Sequence, residues 1–127
     1  MEEITADVNW LAVAVGAVLA YLLGYLWYSP KLFGKKWAEG VGLKSAPENL
    51  PVAAMTMQAI GTFLLAWVVG VTAANNALLT IILIVAAIAA LMLAGSLFTL
   101  KSSYAMSTEA GFVIAMAAVM IAVQGIL

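Results

Sequence analysis

Four long apolar runs separated by short polar stretches constrain this chain more than any other feature. The runs cover about residues 10–28, 50–72, 77–100 and 110–127. Each is close to or above the roughly 20 residues with which an α-helix crosses the hydrocarbon core of a bilayer. A helix suits that setting because it satisfies its backbone hydrogen bonds internally. We therefore predict an all-α membrane protein, a single domain over residues 1–127 with four transmembrane helices.

The composition agrees with this assignment and narrows the chemistry. Charged residues make up 9% of the 127 residues, whereas a soluble domain carries roughly 25%. There is no cysteine and no histidine, which excludes disulfides, thiolate nucleophiles and imidazole acid–base chemistry. The sequence contains no recognisable carboxylate pair, metal-ligand cluster or glycine-rich phosphate loop. We expect no enzymatic activity, no cofactor, no metal and no nucleic-acid partner.

Aromatic residues bound the first apolar run. Trp10 stands at one end and Trp27 with Tyr28 at the other. Trp10 and Trp27 are separated by 17 positions, which correspond to about 26 Å of helix. We therefore interpret these side chains as the two interfacial belts. The acidic start of the chain differs from the basic start of a secretory signal, and we expect the first helix to be retained.

A short amphipathic helix is predicted over about residues 30–43, between the first and second spans. Ser29 is the expected N-cap and Pro30 the expected first helical residue. Phe33 and Trp37 fall roughly on one face, and lysines lie elsewhere. We expect the segment to lie in the headgroup layer, with apolar side chains in the membrane and lysines towards anionic phosphates.

All five basic residues belong to two of the loops. They are Lys31, Lys35, Lys36, Lys44 and Lys101. Since cytoplasmic loops carry an excess of Lys and Arg, we place loops 29–49 and 101–109 in the cytoplasm and both termini outside. The link over 101–109 is expected to precede the last helix, with Thr108 as its N-cap. Asn75 and Asn76 are expected to form a tight turn between the second and third spans.

Small residues recur at four-residue spacing on three of the spans, a pattern that lets membrane helices approach closely. They are Gly16, Ala20 and Gly24 on the first span, Ala86, Ala90 and Ala94 on the third, and Gly111 and Ala115 on the fourth. The pattern favours a tight bundle or an oligomer and does not separate the two. Three uncharged polar side chains are candidates for the lining of a cleft, namely Tyr21, Tyr25 and Gln58.

The predicted spans contain no Asp, Glu, Lys or Arg. Ion-coupled carriers usually keep such a residue within the membrane, so a proton-coupled exporter is disfavoured. Three hypotheses stay open. The chain acts through helix packing, as a homo-oligomer or an accessory subunit; it carries a small neutral solute; or it binds lipid at the inner leaflet. We favour the first.

The segment from Asn9 to Leu43 resembles a bacterial and archaeal family called domain of unknown function 1761. The resemblance rests on a Gly-x-x-Trp-Tyr-Ser-Pro, Leu-Phe-Gly, Trp signature, with these residues: Trp10, Gly24, Trp27, Tyr28, Ser29, Pro30, Phe33, Gly34, Lys35 and Trp37. Glu109-Ala110-Gly111-Phe112 is similar to a second element of the family, whereas a Trp-Leu-Gly element appears only as Leu93-Ala94-Gly95. The resemblance implies a four-helix fold in the plasma membrane of a prokaryote and implies no activity. We interpret the signature as an anchor that fixes the membrane topology, or else as a contact for lipid headgroups or for a partner protein.

Overall fold

The computed structural model describes residues 2–29, 32–42 and 52–127. Within these ranges the chain is helical, with four helices long and apolar enough to cross a membrane. The predicted all-α membrane architecture is therefore confirmed. In chain order the helices are α1 (Glu2–Thr5), α2 (Trp10–Trp27), α3 (Gly34–Gly40), α4 (Val52–Ala74), α5 (Leu78–Phe98) and α6 (Ser103–Ile126). The four long ones, α2, α4, α5 and α6, correspond to the predicted spans.

Helix α6 is the centre of the bundle. It packs against α2, α4 and α5, and its first turns also contact α3. The core between the long helices consists of the following buried apolar residues: Val13, Ala20, Ala66, Val69, Ile81, Val85, Phe112, Val113, Met116, Ala117 and Met120. Lys35, Lys36 and Lys101 lie at one end of this bundle, which we call the lysine end. Helix α1, the end of α6 and the α4–α5 turn lie at the opposite end.

The α4–α5 turn forms where the two asparagines predict it. Asn76 has a positive φ of 54°, a conformation that asparagine tolerates better than most residues. The N–H of Ala77 then donates to the carbonyl oxygen of Thr72 at 2.8 Å. This bond satisfies a carbonyl that the end of α4 would otherwise leave unpaired.

Helix α6 begins at Ser103, well before the predicted start near residue 110. The N-cap is Ser102, whose hydroxyl accepts from the N–H of Ala105 at 3.0 Å. Thr108 is not a cap, because its hydroxyl donates to the carbonyl oxygen of Tyr104 inside the helix. The prediction of a link is therefore wrong for residues 103–109. Glu109 lies within a long apolar helix and not before it.

The segment between α2 and α4 also differs from its prediction. The Ser29 hydroxyl donates to the carbonyl oxygen of Leu26 at 2.8 Å, so it serves the end of α2 instead of capping a new helix. Helix α3 starts at Gly34, with Phe33 at the N-cap position. The predictions that concern Pro30, Lys31 and Lys44 lie outside the described residues.

Helix α1 has no counterpart in the sequence predictions. The indole N–H of Trp67 in α4 donates to the carbonyl oxygen of Ile4 at 2.6 Å. The rings of Trp67 and Trp10 lie 5.4 Å apart. These contacts hold α1 beside α4 at the opposite end of the bundle.

Candidate functional site

The signature residues meet at the lysine end, where α2 finishes, α3 crosses and α6 begins. Four of their rings and two rings of α6 form an aromatic cluster of six residues: Trp27, Tyr28, Phe33 and Trp37, with Tyr104 and Phe112. The centroids of Trp27 and Phe33 are 4.7 Å apart, and those of Tyr28 and Trp37 are 5.1 Å apart with a T-shaped arrangement. Both distances suit favourable aromatic pairing.

A glycine makes the tight reversal between α2 and α3 possible. The N–H of Gly34 donates to the carbonyl oxygen of Ser29 at 2.9 Å, and that of Phe33 donates to the carbonyl oxygen of Trp27 at 3.2 Å. A Cβ atom on Gly34 would overlap the carbonyl oxygen of Tyr28. Only a residue without a side chain fits, which explains the glycine of the Leu-Phe-Gly element.

A second close approach joins the other end of α3 to α6. The N–H of Ser102 donates to the carbonyl oxygen of Gly40 at 3.1 Å. A Cβ atom on Gly40 would collide with the Ser102 hydroxyl and lie 2.7 Å from the Cβ of Ala105. Helix α3 is therefore fixed to α2 by Gly34 and to α6 by Gly40.

The end of α2 is joined directly to α6. The indole N–H of Trp27 donates to the carbonyl oxygen of Thr108 at 3.0 Å. The Trp27 ring lies 3.4 Å from the position of a Cβ on Gly111, and the Phe112 ring lies 3.1 Å from that of a Cβ on Gly24. The two glycines thus leave room for the two rings.

One ion pair accompanies the aromatic cluster. The Lys101 ammonium lies 2.7 and 2.8 Å from the two carboxylate oxygens of Glu109, and the Glu109 side chain is 15% exposed. Burial, together with this carboxylate, raises the pKa of the nearby Tyr28 phenol well above its ordinary value. Tyr28 follows the last residue of α2, and its hydroxyl stays protonated at physiological pH.

The apolar side chains of α3 contact protein rather than projecting away from it. Phe33 and Trp37 are half-buried against the rings of the cluster, whereas Lys35 and Lys36 are exposed. The Lys36 ammonium lies 5.4 Å from the ring centroid of Tyr104. The Trp37 indole N–H is buried and has no hydrogen-bond partner among the described residues. Whether α3 also lies in the headgroup layer stays a prediction.

The three stripes of small residues have different surroundings. Gly16 and Ala20 are buried, and a Cβ on Gly16 would lie 3.5 Å from the Cα of Met120 in α6. The stripe on α2, like Gly111 and the half-buried Ala115 on α6, therefore belongs to the packing within one chain. On α5, by contrast, Ala86 and Ala90 are exposed and Ala94 is half-buried.

The predicted polar lining lies on the side of the bundle between α2 and α4. The Tyr21 hydroxyl donates to the carbonyl oxygen of Met55 at 3.2 Å, and the Gln58 amide donates to the Thr62 hydroxyl at 3.2 Å. Tyr25 packs edge-on against Tyr21 and is half exposed. Of the three, Tyr21 lines a shallow groove, together with Ala17 and Thr62. The predicted side chains do not surround a path through the described part of the bundle.

Tyr104 and the Lys101–Glu109 ion pair were not predicted to lie at this site. All three residues were assigned to a link, whereas recognising Ser102 as an N-cap would have placed Tyr104 and Glu109 on α6 and Lys101 just before it. In the described ranges, no three His, Cys, Asp or Glu side chains are grouped to hold a metal ion. The arrangement is suited to holding three helix ends together.

Comparison with known proteins agrees with the signature. No curated protein and no solved structure matches the chain. One family model matches residues 11–126, which includes both segments that form the aromatic cluster. The chain therefore belongs to the family described as "Protein of unknown function (DUF1761)".

Proposed function

We propose that this membrane protein is non-enzymatic and acts through helix packing, as a homo-oligomer that assembles through α5. The observation that carries the proposal is the exposure of Ala86 and Ala90 on that helix. The face of α5 that packs within the chain is a different one, formed by Ile81, Val85 and Ala89. Because small residues let membrane helices approach closely, the exposed alanines offer a contact surface for a second helix.

Of the three predicted small-residue stripes, the one on α5 is the one with exposed members. Gly16 and Gly24 face α6 within the chain, Ala20 is buried, and Gly111 faces Trp27. An accessory-subunit role would use the same α5 face against an unrelated chain. The two versions differ in what accompanies the protein when it is extracted.

The test is the mass of the protein extracted with its surrounding lipid, for the wild type and for Ala86→Leu and Ala90→Leu. We expect the wild type at a multiple of 13.2 kDa and both variants at the monomer mass. Ala14→Leu is the matched control, because Ala14 is an exposed alanine on α2. A wild-type monomer, or an unchanged oligomer in both variants, would contradict assembly through α5. Co-extraction with unrelated chains would support the accessory role.

We further propose that the lysine end faces the cytoplasm in the plasma membrane of a prokaryote, with both termini outside. The positions of Lys35, Lys36 and Lys101 at one end support this orientation under the positive-inside rule. The chain has no cysteine, so single thiols are informative labels. Lys36→Cys and Asn75→Cys should react with an impermeant reagent from opposite sides of the membrane.

Binding of anionic lipid at the lysine end is a second candidate, favoured by the exposure of Lys35 and Lys36. Replacing both lysines with glutamine should release co-purified anionic lipid, and unchanged lipid retention would end this proposal. A path for a neutral solute has weaker support, since large side chains such as Met116 and Met120 fill the space between the long helices.

A further inference from the structure

We propose that a cleft at the opposite end of the bundle binds a small uncharged amphipathic molecule, one that joins an amide or hydroxyl group to a short apolar body. The cleft has a volume of about 360 Å³ and lies between the α4–α5 turn and the last turns of α6. It is separate from the aromatic cluster and from the α5 face, so the proposal does not depend on how the protein assembles.

The cleft has a buried floor and an open rim. Val69, Thr72 and Ile81 at its floor are buried, whereas Asn76 and Gly125 at its rim are exposed. Its volume falls within the roughly 300–1,000 Å³ that is usual for small-molecule sites. Such sites are mostly apolar and have a few polar groups that fix the orientation of the ligand, which is the composition of this lining.

Gln124 supplies a hydrogen-bonding group with free capacity. Its side chain is half-buried in the cleft and makes no hydrogen bond with the described residues. Gly70 leaves room for it, because a Cβ there would lie 3.3 Å from the Gln124 Nε2. A ligand with an amide or hydroxyl group can supply both a donor and an acceptor to this carboxamide.

The charge of the ligand follows from the lining. The residues that line the cleft include none with a charge. An ion placed against such a surface would lose hydration without gaining a partner, which is costly. The ligand is therefore uncharged, and its apolar part lies against Ile81 and Ile121.

An uncharged amide or hydroxyl group on an apolar body occurs both in water-soluble amides and in the headgroups of neutral lipids. Two probes distinguish these sources. Hexanamide is titrated from the aqueous phase, and monoolein is added to the bilayer, with ¹⁵N-labelled protein in lipid nanodiscs. The readout is the side-chain amide signal of Gln124, with Gln58, the other glutamine of the sequence, as an internal reference. We expect a saturable shift of Gln124 alone with at least one probe, and none with hexanoate.

A variant with a larger side chain at the rim of the cleft tests the site directly. Gly125 lines the cleft, and no atom of the described residues lies within 4 Å of a Cβ there. Gly125→Leu should therefore fold, and its larger side chain at the rim should weaken probe binding by about tenfold. Gly95→Leu is the matched control, because Gly95 is equally open but lies at the lysine end of α5. Saturation with hexanamide indicates a water-soluble ligand, and saturation with monoolein alone indicates a lipid. Lack of saturation with both probes, a parallel shift of Gln58, or unchanged binding to Gly125→Leu would overturn the proposal.

Discussion

The indole N–H of Trp27, at the last residue of α2, donates to the backbone carbonyl oxygen of Thr108 in α6 across 3.0 Å. This bond joins the signature, at the end of the first span, to the residue just before the second element that resembles the family, Glu109–Phe112. Their proximity supports a structural role for the signature, because both elements contribute to one junction between helix ends.

Replacement of Trp27 by phenylalanine tests this junction. Trp27→Phe keeps an aromatic ring but removes the donor, and we expect the free energy of unfolding to fall by roughly 1–2 kcal/mol. The measurement is equilibrium unfolding in mixed micelles. Trp10→Phe is the control, since Trp10 is exposed and forms no side-chain hydrogen bond with the described residues. If the free energy of unfolding falls equally in the two variants, the hydrogen bond to Thr108 contributes nothing specific to stability.

Gly34→Ala tests the backbone reversal before α3. The new Cβ atom would overlap the carbonyl oxygen of Tyr28, and backbone cannot move aside as a flexible side chain can. We expect a loss of about 3 kcal/mol, at the upper end of the range for overpacking. Gly61→Ala is the matched control, because no atom of the described part of the chain lies within 4 Å of a Cβ at Gly61. It should be neutral or stabilising in the same unfolding assay. A Gly34→Ala protein as stable as the wild type would contradict the tight reversal.

Hydropathy was sufficient to predict the four long helices, because each span must be apolar to lie in lipid. It was insufficient at the start of α6. Lys101 and Glu109 look like residues of a polar link, yet they form an ion pair, and Ser102 provides the cap that begins the helix before the apolar run. A helix boundary and a membrane boundary are different properties, and hydropathy reports only the second.

The spacing of small residues could not show which stripe is used within the chain. Gly16 and Ala20 are buried, whereas Ala86 and Ala90 have the same four-residue spacing and are exposed. Helix α5 is apolar on all sides, so its rotation about its own axis depends on contacts with α6 that the sequence pattern does not encode. The signature was informative because glycine at position 34 and the aromatic residues around it have few alternatives in such a tight turn.

Leu100 is a position at which the native residue is strained. It follows the C-terminal end of α5 with a φ of 58°, a conformation that costs L-residues with a side chain roughly 1–2 kcal/mol. Its side chain is 89% exposed and gains little packing in return. We expect Leu100→Gly to stabilise the protein by about 1 kcal/mol, since glycine is the residue that this helix-end position favours.

The control for this variant is its neighbour. Thr99 has a φ of −94°, so Thr99→Gly gains no relief from strain and should be destabilising in the same assay. If both variants lower the stability, the side chain of Leu100 contributes packing that outweighs the strain of its backbone.

The protonation of Tyr28 predicts how stability changes at alkaline pH. Burial first, and the Glu109 carboxylate second, raise the pKa of this phenol in the folded protein above its value near 10 in the unfolded chain. Between these two pKa values the folded state binds more protons than the unfolded state, so the free energy of unfolding falls as pH rises. The contribution of this proton to the free energy of unfolding is fully present below pH 10 and is lost at higher pH. The free energy falls by at most about 1.4 kcal/mol per pH unit for one proton.

Tyr28→Phe removes this group and keeps the ring that packs against Trp37 and Phe112. The measurement is the free energy of unfolding of both proteins from pH 8 to 11.5. We expect the difference between them to be constant below pH 10 and to move in favour of the phenylalanine variant above it. Lysines that lose their charge over the same range affect both proteins alike and cancel in this difference. If the free energies of unfolding of the two proteins stay parallel up to pH 11.5, the phenol reaches water without unfolding. The aromatic cluster would then be more open than the packing of Tyr28 indicates.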